Sequence, residues 1–145
     1  MSERQIIEAT ENTITSYEVW IHRDEQGRVV WRREVIVTRD SKGRFVTWKP
    51  AELYRVAIGI IYVVHNHYYN FVLYYYHHDK KHIEDKIDDL IDLAKKELEK
   101  HLGYRESEWW FEPVIKISDI EPVKFDADLI GVTETEIGEV PKKRK

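Results

Sequence analysis

The sequence predicts an α+β fold: a mostly antiparallel sheet of about five or six strands, one long amphipathic helix on one face, and an extended C-terminal tail. Three observations predict it. The pattern R-D-x-x-G-R occurs twice, at Arg23–Arg28 and Arg39–Arg44, between segments that alternate apolar and polar residues. The longest apolar run, Arg55–His78, is dominated by Val, Ile, Tyr and Phe and is broken in its middle by His65-Asn66-His67. Immediately after it, residues 80–102 carry apolar side chains at helical spacing.

With 145 residues the chain is expected to fold as one domain, divided into an N-terminal arm (1–15), an α+β body (16–118) and an acidic then basic tail (119–145). The absence of cysteine excludes disulfides and thiolate metal sites. Asparagine occurs at only three positions (12, 66 and 70), glutamine at two (5 and 26), and charged residues make up 34%. Few thermolabile residues beside abundant Lys, Arg and Glu is a thermophile-like composition, and a small chain of this kind without a catalytic signature is compatible with a viral or plasmid origin. The start, MSERQIIEATENTIT, has no apolar signal-peptide core, so a cytoplasmic location is expected. The formal net charge of −4 gives no global field that attracts nucleic acid.

Residues 1–15 read either as a short helical turn, with Ser2 and Gln5 at capping-box spacing, or as a loose arm. Residues 17–49 read as a three-stranded meander. In each repeated loop the Asp can bond back to the backbone and the Gly accepts positive φ, which is good hairpin chemistry. Closing the loops with Arg23 opposite Arg28 and Arg39 opposite Arg44 sets Trp20 against Trp31, Glu18 against Arg33, Val37 against Val46 and Val35 against Trp48. Trp20, Val29, Trp31, Val35, Val37, Val46 and Trp48 then share one face.

A helix and a hairpin compete for residues 55–78. Leu53, Val56, Ala57, Ile60, Ile61, Val64, Tyr68, Phe71, Val72 and Tyr75 recur at three- and four-residue spacing, and Pro50 could open a helix. Composition favours the hairpin, because branched and aromatic residues lose freedom in a helix and suit a pleated surface. A turn at Asn66-His67 pairs Tyr62 with Phe71, Ile60 with Leu73, Ile58 with Tyr75 and Val56 with His77. The other face pairs Ile61 with Val72, Gly59 with Tyr74 and Ala57 with Tyr76. A turn displaced by one residue is expected to scramble these faces. A membrane span needs ~20 uninterrupted apolar residues, and Arg55, His65, Asn66, His67 and Asn70 interrupt this run.

The helix is expected over Lys80–Leu102, with Ile83, Ile87, Leu90, Ile91, Ala94, Leu98 and Leu102 on its apolar stripe. Asp79 can cap its start, Gly103 can end it, and acidic residues at the front with lysines at the back suit the helix dipole. Trp109–Ile117 reads as an edge strand, because Pro113 cannot donate to a ladder. From residue 119 onward apolar residues are sparse and acidic ones dense, so the tail is expected to be partly ordered at best.

No motif specifies a reaction: the glycines form no phosphate loop, the serines occupy no nucleophile elbow, and no cofactor or catalytic residue is assigned. His65 and His67, two apart on a strand, are the residues to test as metal ligands, and with them a metal-dependent hydrolase. Arg23, Arg28, Arg39 and Arg44 are the possible phosphate contacts. Their two loops lie at opposite ends of a strand, ~35 Å apart at ~3.3 Å per residue, so solvated arginines balanced by Asp24 and Asp40 are the simpler reading. Ser41–Trp48, SKGRFVTW, echoes an RNA-recognition signature, but its spacing places Phe45 and Trp48 on opposite faces of a strand, which stacking does not tolerate. The echo is therefore read as coincidence.

One helix can cover only one side of the sheet. The side with Ala57, Gly59, Val63, Ile61, Asn70, Val72, Tyr74 and Tyr76 needs another cover, from the arm, the tail or a second chain. A large apolar, tyrosine-rich patch has the composition of an interface core. The expected function is therefore a non-catalytic protein–protein interaction module, self-associating or partner-binding, centred on Ile61, Asn70, Val72, Tyr74 and Tyr76. A module that stacks single-stranded nucleic acid on the sheet tyrosines, with the loop arginines on phosphate, is the alternative.

Overall fold

The computed structural model describes residues 4–140, and these form nine strands, two α-helices and two short 3₁₀ turns. They fall into two compact units: residues 4–52 together with Lys124–Ile130, and Leu53–Val123 together with residues 131–140.

The first unit is a meander of four antiparallel strands in the order β1-β2-β3-β4: β1 (Arg4–Ala9), β2 (Thr13–Arg23), β3 (Val29–Asp40) and β4 (Phe45–Pro50). Both R-D-x-x-G-R loops fold identically. The Asp amide donates to the carbonyl of the second Arg, at 2.9 Å in each loop, and the Gly amide donates back to the Asp carbonyl at 3.0 Å. Gly27 and Gly43 sit at φ +81° and +82°, where a side chain would be strained. Asp24 Oδ1 accepts from the amides of Gln26 and Arg28, and Asp40 Oδ1 from those of Lys42 and Arg44.

This turn closes one residue later than expected, with Asp rather than Arg as the first closing residue, and a bulge follows it in each hairpin. Partners therefore move by two: Trp20 lies opposite Arg33, His22 opposite Trp31, Glu18 opposite Val35, and Val37 opposite Trp48. A shift of two keeps the side chains of the paired strand centres on their own faces, whereas at the second bulge Phe45 comes level with Arg39 and changes face. Val35, Ile36 and Val37 are fully buried at the centre of β3. Residues 4–9, expected as a helical turn or loose arm, are a strand paired to β2. The adjacent Ile6 and Ile7 interrupt any simple alternation, and the ladder shifts register between Ile6 and Glu8, so no clean period-two signal marked this strand; the Ser2 of the capping-box reading lies outside the described residues.

The second unit is a five-stranded sheet on which the rest of the unit packs. The central hairpin is β5 (Leu53–Val64) with β6 (His67–His77); β7 (Val114–Ile117) and β8 (Glu121–Val123) both pair with β5, and β9 (Thr133–Val140) pairs with β6. Residues 55–78 are thus a hairpin, not a helix. Its turn is His65-Asn66, both at positive φ (50° and 65°), as a two-residue type I′ turn requires. The turn centre lies one residue earlier than expected, so Ile58 pairs with Leu73, Ile60 with Phe71 and Gly59 with Val72. Displacing a turn centre by one residue moves each partner by two, so the faces survive, contrary to the expectation that they would scramble.

The helix divides into α1 (Lys80–Asp85) and α2 (Ile87–Leu102). The Lys86 amide bonds the Ile83 carbonyl at 3.0 Å, a tight turn that interrupts the α ladder. No proline or glycine marks this break, so the periodicity ran through it. Asp79 caps α1 through the Lys81 amide, and Gly103 in the left-handed conformation ends α2. Ile83, Leu90, Ala94 and Leu98 are buried against Val56, Ile58, Ile60, Tyr62, Phe71, Leu73 and Tyr75. Each large aliphatic buried there contributes about 1.5–3 kcal/mol of transfer free energy.

β7 is an edge strand, as Pro113 requires, but Trp109 and Phe111 precede it in a loop that packs onto the same core. Residues 119–140 are ordered beyond the expected loose tail. They supply β8 and β9, and between these a short 3₁₀ turn at Ala127–Leu129 belongs to the first unit. The physical reason is backbone pairing: β9 completes its ladder on the exposed edge of β6 with Thr and Glu side chains, and needs few apolar ones. The basic end, Pro141–Lys145, lies outside the described residues.

Candidate interaction surfaces

Sheet alternation divides the β5/β6 residues cleanly. Val56, Ile58, Ile60, Tyr62, Phe71, Leu73 and Tyr75 form the helix-covered core. On the opposite face, Ala57, Gly59, Ile61, Asn70, Val72 and Tyr74 are half-buried, and Val63 and Tyr68 are exposed. Both helices contribute their buried side chains to the first face, and β9 extends the sheet sideways rather than folding over it.

The rim of this open face is charged by position. On the β9 edge, Glu136 lies opposite Val72 and Glu134 opposite Tyr74; the Tyr74 hydroxyl donates to Glu136 Oε2 at 3.3 Å and the Tyr76 hydroxyl to Glu134 Oε2 at 3.5 Å. Partial burial, with Glu136 beside it, raises the Tyr74 pKa. On the β7 edge stands Lys116, opposite Gly59. A Cβ on Gly59 would meet Asn70 Oδ1 at 3.5 Å and the Lys116 carbonyl at 3.6 Å, both ordinary van der Waals distances. At the far end Arg55 pairs with Glu121 and stacks 5.1 Å from the Tyr74 ring centroid. Of the five residues singled out from sequence, Ile61, Asn70, Val72 and Tyr74 share this face in half-buried positions. Tyr76, only 8% exposed, is instead largely enclosed.

The first unit carries a second surface that sequence reasoning dismissed. Trp20 contacts both Trp48 (ring centroids 5.4 Å apart) and Phe45 (6.0 Å). Phe45 and Trp48 therefore lie on one face, not on opposite ones. The bulge between Thr38 and Arg39, opposite the start of β4, brings Phe45 level with Arg39 and cancels the apparent mismatch in spacing. The Arg33 guanidinium lies 5.6 Å from the Trp31 ring and 5.9 Å from the Trp48 ring, Arg39 lies over Phe45 at 4.9 Å, and His22 stacks on Trp31 at 5.6 Å. Trp31 (46% exposed), Trp48 (42%) and Phe45 (55%) present much of their surface to solvent.

The four loop arginines do not converge. Arg28 and Arg44 are exposed and bound to Asp24 and Asp40 of their own loops, and Arg23 donates to the Gly27 carbonyl at 3.0 Å. Arg39 departs from the solvated reading: it pairs bidentately with Glu18, whose side chain is 5% exposed. The hydrogen bonds from Arg39 outweigh the opposing effect of burial and, with those from Ser16 and Trp20, lower the Glu18 pKa.

His65 occupies the turn and His67 opens β6, where its Nδ1 lies 3.0 Å from Glu139 Oε1. The structure does not give the pair a third ligand: among the described residues, no group of three or more His, Asp or Glu side chains is arranged to hold a metal ion. His77, His78 and His82 do cluster, with centroids 4.3 Å apart for His77–His78 and 3.8 Å for His77–His82. The His77 and His82 rings lie within 12° of parallel, so their in-plane nitrogen lone pairs do not converge on one point; this is packing geometry, not chelation. Among the described residues no helix is long and apolar enough to cross a membrane.

No family model, curated protein or solved structure matches the chain.

Proposed function

We propose that the protein is a non-catalytic interaction module that associates with a second copy of itself through the open face of the β7-β5-β6-β9 sheet. The observation that carries this reading is the apolar stripe on that face, exposed at Val63 and Tyr68 and half-buried at Ile61, Val72 and Tyr74, bordered by Glu134 and Glu136 at one edge and Lys116 at the other.

Two such faces are self-complementary in one arrangement. Sheets pack face to face ~10 Å apart with strands within ~30° of alignment. A two-fold axis between them, parallel to the strands, brings the β7 edge of one copy over the β9 edge of the other. Lys116 then approaches Glu134 and Glu136 of the second copy twice, and the apolar stripes meet in the middle, as an isologous interface requires. An axis across the strands would set like charges together. The carboxylates beside the tyrosines also disfavour a phosphate backbone on this face, so protein is the better-matched partner here.

Sedimentation equilibrium tests the reading. The wild-type chain is expected to form a dimer, and Val63→Glu together with Tyr68→Glu, both at exposed positions, to shift it to monomer with unchanged circular dichroism. A wild-type monomer at all concentrations contradicts it.

A further inference from the structure

The tryptophan face of the first unit has no part in that association, and its chemistry differs. From Trp20 to Lys49 the chain carries eight Lys and Arg against four Asp and Glu, a local net of +4 in a protein whose total is −4. Three of the five tryptophans of the protein lie in this segment, with Phe45 beside them. Three of these four carboxylates are already engaged: Asp24 and Asp40 hold their loop arginines, and Glu34 lies against Arg32 and accepts from the Tyr17 hydroxyl; Glu18, just before the segment, is buried against Arg39. Arg33 makes no ion pair among the described residues, and it stands between two exposed indole rings.

We propose that this face, built from Trp31, Trp48, Phe45 and Arg33, binds single-stranded nucleic acid. The indole and phenyl rings supply stacking platforms, which accept any base because every base has a π-face. Arg33 supplies a cation at the level of the rings, with Arg28, Arg44 and Lys42 at the strand ends to follow a phosphate backbone. A carbohydrate would require free carboxylates and amides around the rings to take its hydroxyls, and the rim here is guanidinium. A protein partner could use the same aromatic residues, but Arg33, set between the two indole rings without an ion pair among the described residues, suits a phosphate better than an apolar side chain. The bases of a duplex are stacked on one another, so a duplex would meet the rings edge-on without offering its base faces.

The test titrates the full-length protein into fluorescein-labelled twelve-nucleotide oligothymidylate and oligouridylate, with a duplex of the same length as control, reading anisotropy and tryptophan quenching. Single strands are expected to bind in the micromolar range, to quench tryptophan, and to lose affinity with rising salt. The two single-stranded probes then distinguish a DNA from an RNA preference. Trp31→Ala and Trp48→Ala should each weaken binding about tenfold with the salt dependence unchanged. Arg33→Ala should weaken it and lower the log–log salt slope by about 0.7, the share of one phosphate contact on a single strand. Trp48→Phe, which keeps a stacking ring, should retain most of the affinity and controls for folding. No binding at ~100 µM protein, equal binding to duplex, or binding indifferent to both tryptophan substitutions would overturn the proposal. So would capture of a protein on this face that Trp48→Ala abolishes while oligonucleotides fail to bind.

Discussion

Glu18 and Arg39 form a bidentate ion pair across the β2/β3 ladder, with the Glu18 side chain 5% and the Arg39 side chain 19% exposed. Ser16 and the Trp20 indole complete the hydrogen bonding of the carboxylate. A buried pair of this kind adds little net stability over an apolar substitute, but removing one partner strands the other charge. Arg39→Ala is therefore expected to destabilise the first unit by about 3 kcal/mol in urea denaturation, and a double change to Glu18→Leu with Arg39→Met by much less.

The same pair sets a pH dependence. The folded-state pKa of Glu18 is depressed, chiefly by the hydrogen bonds from Arg39, whereas an unfolded Glu titrates near ~4.3. A depressed carboxylate contributes stability that is fully present above its unfolded pKa and disappears as pH falls through the folded one. Stability should thus be flat from neutral pH down to about 5 and fall below ~4. In the Glu18→Leu/Arg39→Met double variant that decline should be shallower, as read by urea midpoints across pH.

The two hairpin loops share a geometry, so they should share a sensitivity. Gly27→Ala and Gly43→Ala place a side chain at φ +81° and +82° with no steric clash around it. The cost is then backbone strain alone, about 1 kcal/mol for each, and unequal effects in chemical denaturation would show that the loops are not equivalent.

These loops also show what the sequence made legible. Asp and Gly at fixed spacing announced both hairpins, and the alternation beside them set the faces. The register was missed by two in each hairpin, because the bulge that follows a glycine-closed turn leaves no mark in the alternation. At the central hairpin the missed signal was His65-Asn66: asparagine tolerates positive φ well, and the strand tyrosines on either side concealed which two residues turn. β9 was hidden for another reason. Thr133-Glu134-Thr135-Glu136-Ile137 alternates with period two and is rich in β-favouring threonine, yet its acidity read as disorder. The Trp20/Phe45/Trp48 contact was illegible because a bulge, not the residue count, decides on which face Phe45 lies.

The central turn gives a prediction of opposite sign. Asn-Gly suits a two-residue type I′ turn better than His-Asn, so His65→Asn combined with Asn66→Gly should raise the stability of the second unit by about 0.5–1 kcal/mol in thermal or chemical denaturation. Loss of stability would mean that His65 makes interactions the turn depends on.

Packing on the two faces of the second sheet should respond unequally. Leu98→Ala removes a fully buried side chain beneath the sheet and should cost about 2–5 kcal/mol. Val63→Ala, on the open face at an exposed position, should cost less than about 0.5 kcal/mol at concentrations where the chain is monomeric, and more where it is dimeric. Urea denaturation at two protein concentrations separates the two cases.

The claim that the open sheet face pairs with its own copy about an axis parallel to the strands is tested most directly by charge reversal in sedimentation equilibrium. Lys116→Glu alone and Glu134→Lys with Glu136→Lys are each expected to weaken the dimer about tenfold or more, and the three changes combined to restore it. Dimerisation unaffected by either reversal, or a combined variant no tighter than its parents, would contradict the arrangement.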